Sequence, residues 1–148
     1  MAEIAKSIKI NAPLSKVFDY VTDPKNWTKY VTSLVDVRNI SNDVPVADTT
    51  FEWTYRMLGI NNDGIGKIVE FEKDRKLAIE MEGAFPIKET YTFAGDENST
   101  ELSFEIRYEV PGKVLGVIAD KLLVERLNVM EADVTLNKVK DLCEADNT

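Results

Sequence analysis

Glu89, Arg126 and Asp133 are side chains through which this sequence can do chemistry, because each puts a charged group into an apolar pattern, and Tyr108 adds a phenol on an apolar strand face. Glu89 shares its parity with Ile87, Tyr91 and Phe93, so on a regular strand it points to the apolar side. Arg126 and Asp133 fall inside the apolar arc of a long C-terminal helical stretch. Charges on a buried face are costly unless paired. Two arrangements meet that constraint. In one, Arg126 and Glu89 approach each other inside the protein. In the other, Glu89 lies beside a bulge or strand end, while Arg126 and Asp133 extend to solvent. A desolvated Glu89 would have a raised pKa, which suits a general acid or base, and a buried phenol such as Tyr108 needs a partner.

The missing residue types restrict the chemistry further. The chain has no histidine and one cysteine, Cys143. His-based triads and His general acids are therefore excluded, and the usual zinc, copper and non-haem iron ligand sets cannot be assembled. Asp43, Asp48, Asp63 and Asp74 lack calcium-loop spacing, so no metal and no cofactor is expected. With 18 basic and 26 acidic side chains the formal charge is -8, and no run of Lys or Arg offsets it. Such a field disfavours nucleic acid and anionic lipid surfaces. One cysteine cannot close an internal disulfide, the N-terminus lacks the pattern of a signal peptide, and no stretch approaches a membrane span of about 20 apolar residues. A cytoplasmic protein is expected, without membrane insertion.

The elements that must position these residues fill one domain over residues 1–148, since a hydrophobic fraction of 44% over this length supports a single core. Ile4–Ile10 reads as a strand, ended by Asn11-Ala12-Pro13, with Pro13 placed to start a helix carrying Val17, Phe18 and Val21. Asp23-Pro24 breaks it before a second short helix with Trp27, Tyr30 and Val31. Period two then dominates. Val35–Arg38 and Phe51–Met57 read as strands, the second alternating strictly, and Asn61–Gly64 has the chemistry of a hairpin turn. Strands follow at Gly66–Phe71, Leu77–Glu82, Ile87–Phe93 and Leu102–Val110, with short turns that imply an antiparallel meander. Pro111-Gly112 stops the sheet, and a long helix is expected from Lys113 to about Cys143, with Leu115, Ile118, Leu122, Val129, Met130 and Leu136 on one arc.

This order, with Ile8-Lys9-Ile10-Asn11-Ala12-Pro13 leading to Val17-Phe18, Asp23-Pro24 and Trp27, resembles the START-like (SRPBCC, helix-grip) superfamily. Within it the chain is most similar to the polyketide cyclase/dehydrase and lipid-transport-like group. The resemblance implies an α+β helix-grip fold, in which a curved seven-stranded antiparallel sheet wraps around a long C-terminal helix and two short helices join strands 1 and 2. It also implies an apolar cavity. The histidine ligands of the ring-hydroxylating branch and the glycine-rich loop of the pollen-allergen branch are both missing.

A long helix across a curved sheet cannot fill the space at both ends. The candidate lining is Trp53, Tyr55, Met57, Ile79, Met81, Glu89, Tyr91, Phe93, Phe104, Ile106 and Tyr108, with Leu115, Ile118, Leu122 and Arg126 from the helix. The same residues can equally form a plain core. The loops Leu58–Asp63 and Gly83–Pro86 would border the mouth, with Phe85-Pro86 as a gating loop or an ordinary connection. Three functions stay open. The first is a carrier or sensor of a small hydrophobic ligand. The second is a cyclase- or dehydratase-like enzyme using Glu89, Arg126 and Tyr108. The third is a protein-interaction module built on the aromatics around Phe85.

Overall fold

The structure, a computed structural model, describes residues 2–57, 59–83, 86–108 and 121–145. β1 (Ala2–Ile10) is followed by α1 (Leu14–Thr22), a 3-10 turn at Pro24–Asn26 and α2 (Trp27–Tyr30). Then come β2 (Leu34–Arg38), β3 (Thr50–Met57), β4 (Ile60–Glu72), β5 (Lys76–Glu82), β6 (Ile87–Gly95) and β7 (Thr100–Tyr108), and finally α3 (Lys121–Ala145). Seven strands form one antiparallel sheet in the order β1-β7-β6-β5-β4-β3-β2. β2 to β7 are a meander, and β1 joins its far edge beside β7, so the two short helices must carry the chain from one edge to the other. This is the helix-grip architecture. The expected helical residues 113–120 lie outside the described residues.

Capping bonds lock the crossover. Pro13 stands at the start of α1, which buries Val17, Phe18, Val21 and Thr22. Asp23 accepts from the Lys25 amide and begins the 3-10 turn. The carbonyl of Val21, left over at the end of α1, accepts from both the Trp27 indole at 2.8 Å and the Tyr30 hydroxyl at 2.7 Å. Two large aromatics are thereby held inside with their polar atoms satisfied. Phe18 meets Phe71 and Phe93 edge-on at 5.4 and 5.0 Å.

α3 is anchored through its C-terminal half. Ala132, Thr135, Leu136, Val139 and Cys143 form its buried stripe. Glu144 accepts from the Asn11 amide at 2.8 Å and Lys140 donates to the Lys9 carbonyl at 3.0 Å, which pins the helix to β1. Met130, expected on the inner arc, is 62% exposed, because the stripe set by Ala132 and Leu136 rotates it outward.

The hairpin expected at Asn61–Gly64 lies elsewhere. Met57 pairs directly with Ile60, so the chain reverses between them, with Gly59 at φ 76°, and Asn61–Gly64 belongs to β4. Gly64 and Gly66 serve a different need. Gly64 pairs with Trp53 and Gly66 with Phe51, and an added Cβ would lie 2.3 Å from each ring. The rings of β3 lie across a β4 backbone stripped of side chains. On the outer face Arg107 bonds Glu105 at 2.7 Å and reaches Glu3 at 3.5 Å on the neighbouring strand, while Arg38 reaches Glu52 at 3.9 Å.

Candidate functional site

A pocket opens where the inner faces of β3, β5 and β6 meet the α2–β2 corner. Trp27, Val31, Leu34, Phe51, Tyr55, Ile79, Met81, Glu89 and Tyr91 line it, around a free volume of about 10 Å³, which is about what one water needs. Strand pleating aims this set: Ile79 and Met81 alternate on β5, Glu89 and Tyr91 on β6. Glycines on β4 leave space that the Phe51 and Trp53 rings fill, and Phe51 is the one of the two that reaches the lining.

Among the described residues Glu89 is the one carboxyl in this lining, and only 7% of it is exposed. Its Cα partners on the flanking strands are Ile79 and Ile106, so both strands surround it with hydrocarbon. Its hydrogen bond among the described residues comes from the Tyr55 hydroxyl, which donates to Oε1 at 3.3 Å across the sheet. Burial, reinforced by the nearby Glu131 carboxyl, pushes Glu89 up to about 7, and the Tyr55 bond opposes this by favouring the ionised form. Glu131, half-buried on α3, accepts from the Ser33 amide at 3.1 Å, and its own burial raises its pKa. Burial also holds the phenols of Tyr30, Tyr55 and Tyr91 well above their usual range, and the charge on Glu89 adds to each. Tyr55 is half-buried, yet its hydroxyl lies at the inner end beside Glu89. The arrangement can hold a proton near neutral pH, and it can meet a cation or a hydrogen-bond donor.

Arg126 does not meet Glu89. The structure places Arg126 exposed on α3, and the group that approaches Glu89 from that helix is Glu131, a second acid. The long guanidinium side chain escapes to water at little cost, whereas a buried ion pair would have to repay two desolvations. Asp133 is likewise exposed and lies 3.7 Å from Lys6 on β1.

The remaining expected site residues divide by position. Tyr55, Ile79, Met81 and Tyr91 line the pocket with Glu89. Trp53 is buried beside them, but its indole N–H already donates to the Ile65 carbonyl at 2.9 Å. Phe93 is buried against Phe18 on the α1 side. Phe104, Ile106 and Tyr108 are buried along β7, with Phe104 stacked on Tyr91 at 4.5 Å, so Tyr108 stands outside the pocket lining. Pro86 is exposed. Phe85, Leu115 and Ile118 lie outside the described residues, as do the side chains of Met57 and Leu122.

Trp27, Val31, Leu34, Phe51 and Glu131 were not expected at the site. Glu131 was legible in principle: Glu131, Thr135, Val139 and Cys143 stand four residues apart, so the acid heads the stripe that is buried further along. Phe51 and its glycine partner required the β3–β4 register, which the displaced turn concealed.

Comparison with known proteins agrees with this architecture. Among solved structures, a protein from Thermus thermophilus superposes with a TM-score of 0.82 at 17% identity, covering 99% of this chain and 100% of the other. The Zhui aromatase/cyclase from a Streptomyces species superposes at 0.80 with 12% identity, over 99% and 96%. A START superfamily protein from Mycobacterium smegmatis gives 0.70 at 16%, over 95% and 98%. At these identities the likeness is one of fold. A comparison with curated protein sequences gives no match. The sequence model of the family described as polyketide cyclase / dehydrase and lipid transport matches residues 1–144, and the chain belongs to that family.

Proposed function

We propose that this protein binds a small apolar ligand between the sheet and the C-terminal helix, as a carrier or sensor, with Glu89 and Tyr55 meeting its polar end; the described lining leaves room for about one water, so the ligand enters by displacing lining side chains. The observation that supports this is Glu89 itself. A carboxyl enclosed by Ile79, Ile106 and aromatic rings, with one long hydrogen bond among the described residues, destabilises the fold without holding any element in place. Such a group belongs to a site. A cytoplasmic setting suits the reading, since a chain with a single cysteine closes no internal disulfide. Among the described residues no helix is long and apolar enough to cross a membrane. Native mass spectrometry of the purified protein, followed by denaturing extraction, tests the proposal. One equivalent of an apolar compound, or one-to-one binding of an apolar probe that raises the melting temperature, supports it. A bare protein mass together with no binding across an apolar probe panel refutes it.

A second reading, a cyclase- or dehydratase-like catalyst, is favoured by one observation. Glu89 titrates near 7 within reach of a phenol, so it can lend or take a proton at neutral pH. The two readings part on turnover: a carrier releases its ligand unchanged, and a catalyst converts it and loses that activity in Glu89→Gln.

A further inference from the structure

We propose that the ligand's polar end is a protonated amine, with Glu89 as its counter-ion. The inference rests on the binding reading above and adds the chemical class of the ligand. Three independent observations carry it.

The first is the charge of the lining. Among the described residues Glu89 is its one carboxyl, and no Lys or Arg is part of it. Among the described residues, every element packed around Glu89 presents either hydrocarbon or a group that is neutral or acidic: Tyr55 from β3, Ile79 from β5, Tyr91 from its own strand, Ile106 from β7, Tyr30 from α2 and Glu131 from α3. Arg126, the nearest expected cation in the sequence pattern, is exposed. A carboxylate ligand would be a further anion in this space and would have to displace or protonate Glu89.

The second is the pattern of satisfied groups. The Trp27 and Tyr30 donors are taken by the Val21 carbonyl and the Trp53 donor by the Ile65 carbonyl. Glu89 accepts one bond, at Oε1, so its Oε2 has no partner among the described residues. The Tyr91 hydroxyl likewise has no hydrogen bond among the described residues and can donate or accept, so the charged group the site offers is an acceptor, and a cationic donor completes it.

The third is the aromatic wall. Trp27, Phe51, Tyr55 and Tyr91 line the pocket, one face of Tyr91 being covered by Phe104, and a ring face turned toward a ligand attracts a cation and repels an anion. Outside, the net charge of -8 draws cations toward the molecule.

Naphthylethylamine, naphthylethanol and naphthylacetate share one aromatic body and differ in the head, so their affinities for the full chain read the head alone. The amine is expected to bind tightest and the acetate weakest. The ammonium stays charged between about pH 6 and pH 8 while Glu89, titrating near 7, goes from about one-tenth to about nine-tenths ionised, so amine affinity rises about tenfold across that interval. Glu89→Gln abolishes both the preference and its pH dependence, so that in this variant the amine binds no tighter than naphthylethanol. Glu131→Gln, which leaves Glu89 in place, retains the preference. Equal affinities for the three heads, a preference for the acetate, or an amine preference unchanged in Glu89→Gln overturns the inference and leaves the cavity standing. Failure of all three probes to bind overturns the cavity reading, and this inference with it.

Discussion

Replacing Glu89 by Gln exchanges an interior carboxyl that titrates for an amide of nearly the same shape that does not. In the folded protein the carboxyl titrates at about 7, against 4.5 without the fold. At about 1.4 kcal/mol per pH unit, that separation is worth about 3 kcal/mol. The sign follows from which state holds the proton more tightly. The folded state does, so the wild-type protein has the full contribution below about pH 4.5 and loses it as pH rises toward 7. Gln loses nothing. Stability of Glu89→Gln relative to wild type should therefore be near zero at about pH 4.5 and climb to about 3 kcal/mol in favour of the variant by about pH 8. Urea unfolding of both proteins across that range measures it. Other groups also titrate: Glu131 is raised by burial, while Asp96 and Glu144 are held down by hydrogen bonds. They are present in both proteins, so the difference largely removes them. A difference that does not change with pH, or a variant less stable than wild type at pH 8, would refute the claim that Glu89 is desolvated and without a cation partner.

Tyr55→Phe removes the one hydrogen bond that favours the ionised form of Glu89, so the carboxyl should titrate higher still, which side-chain carbon NMR of labelled Glu reads directly. Gly64→Ala drives a methyl to 2.3 Å from the Trp53 ring and 2.1 Å from the Glu82 carbonyl; the strand or the ring must move, at a cost of about 1–3 kcal/mol in urea unfolding. Leu136→Ala opens a hole in the buried stripe of α3 and should cost about 2–5 kcal/mol by the same measurement.

The sequence-level reading succeeds where local patterning and burial act together. Strict alternation in Phe51–Met57 and Leu102–Val110 marks two strands with inner and outer faces, and over Phe51–Arg56 and Leu102–Tyr108 both faces are where parity puts them. The same parity places Glu89 inside, because a strand has two faces and only one meets the core. The helix offers no such binary choice. Arg126, Met130 and Asp133 sit near the border of the apolar arc, where a small rotation decides between interior and water, and long side chains lean outward. The turn at Asn61–Gly64 was misplaced because glycine signals both a reversal and a close approach. Here Gly59 answers the first need, and Gly64 and Gly66 answer the second. The pocket was legible in part: strand parity puts Tyr55, Ile79, Met81, Glu89 and Tyr91 on its side of the sheet, whereas Trp27 and Phe51 reach it from elements whose placement parity does not give.

The central claim is that a ligand sits between sheet and helix, against Glu89. Methyl NMR tests it most directly, because two methionines and two isoleucines distinguish interior from surface: Met81 and Ile79 line the pocket, while Met130 and Ile65 are exposed. Saturating the protein with naphthylethylamine should shift the Met81 and Ile79 methyls and leave those of Met130 and Ile65 in place. Shifts confined to Met130 and Ile65, with Met81 and Ile79 unmoved, would mean that the compound rests on the outer surface and would contradict the account.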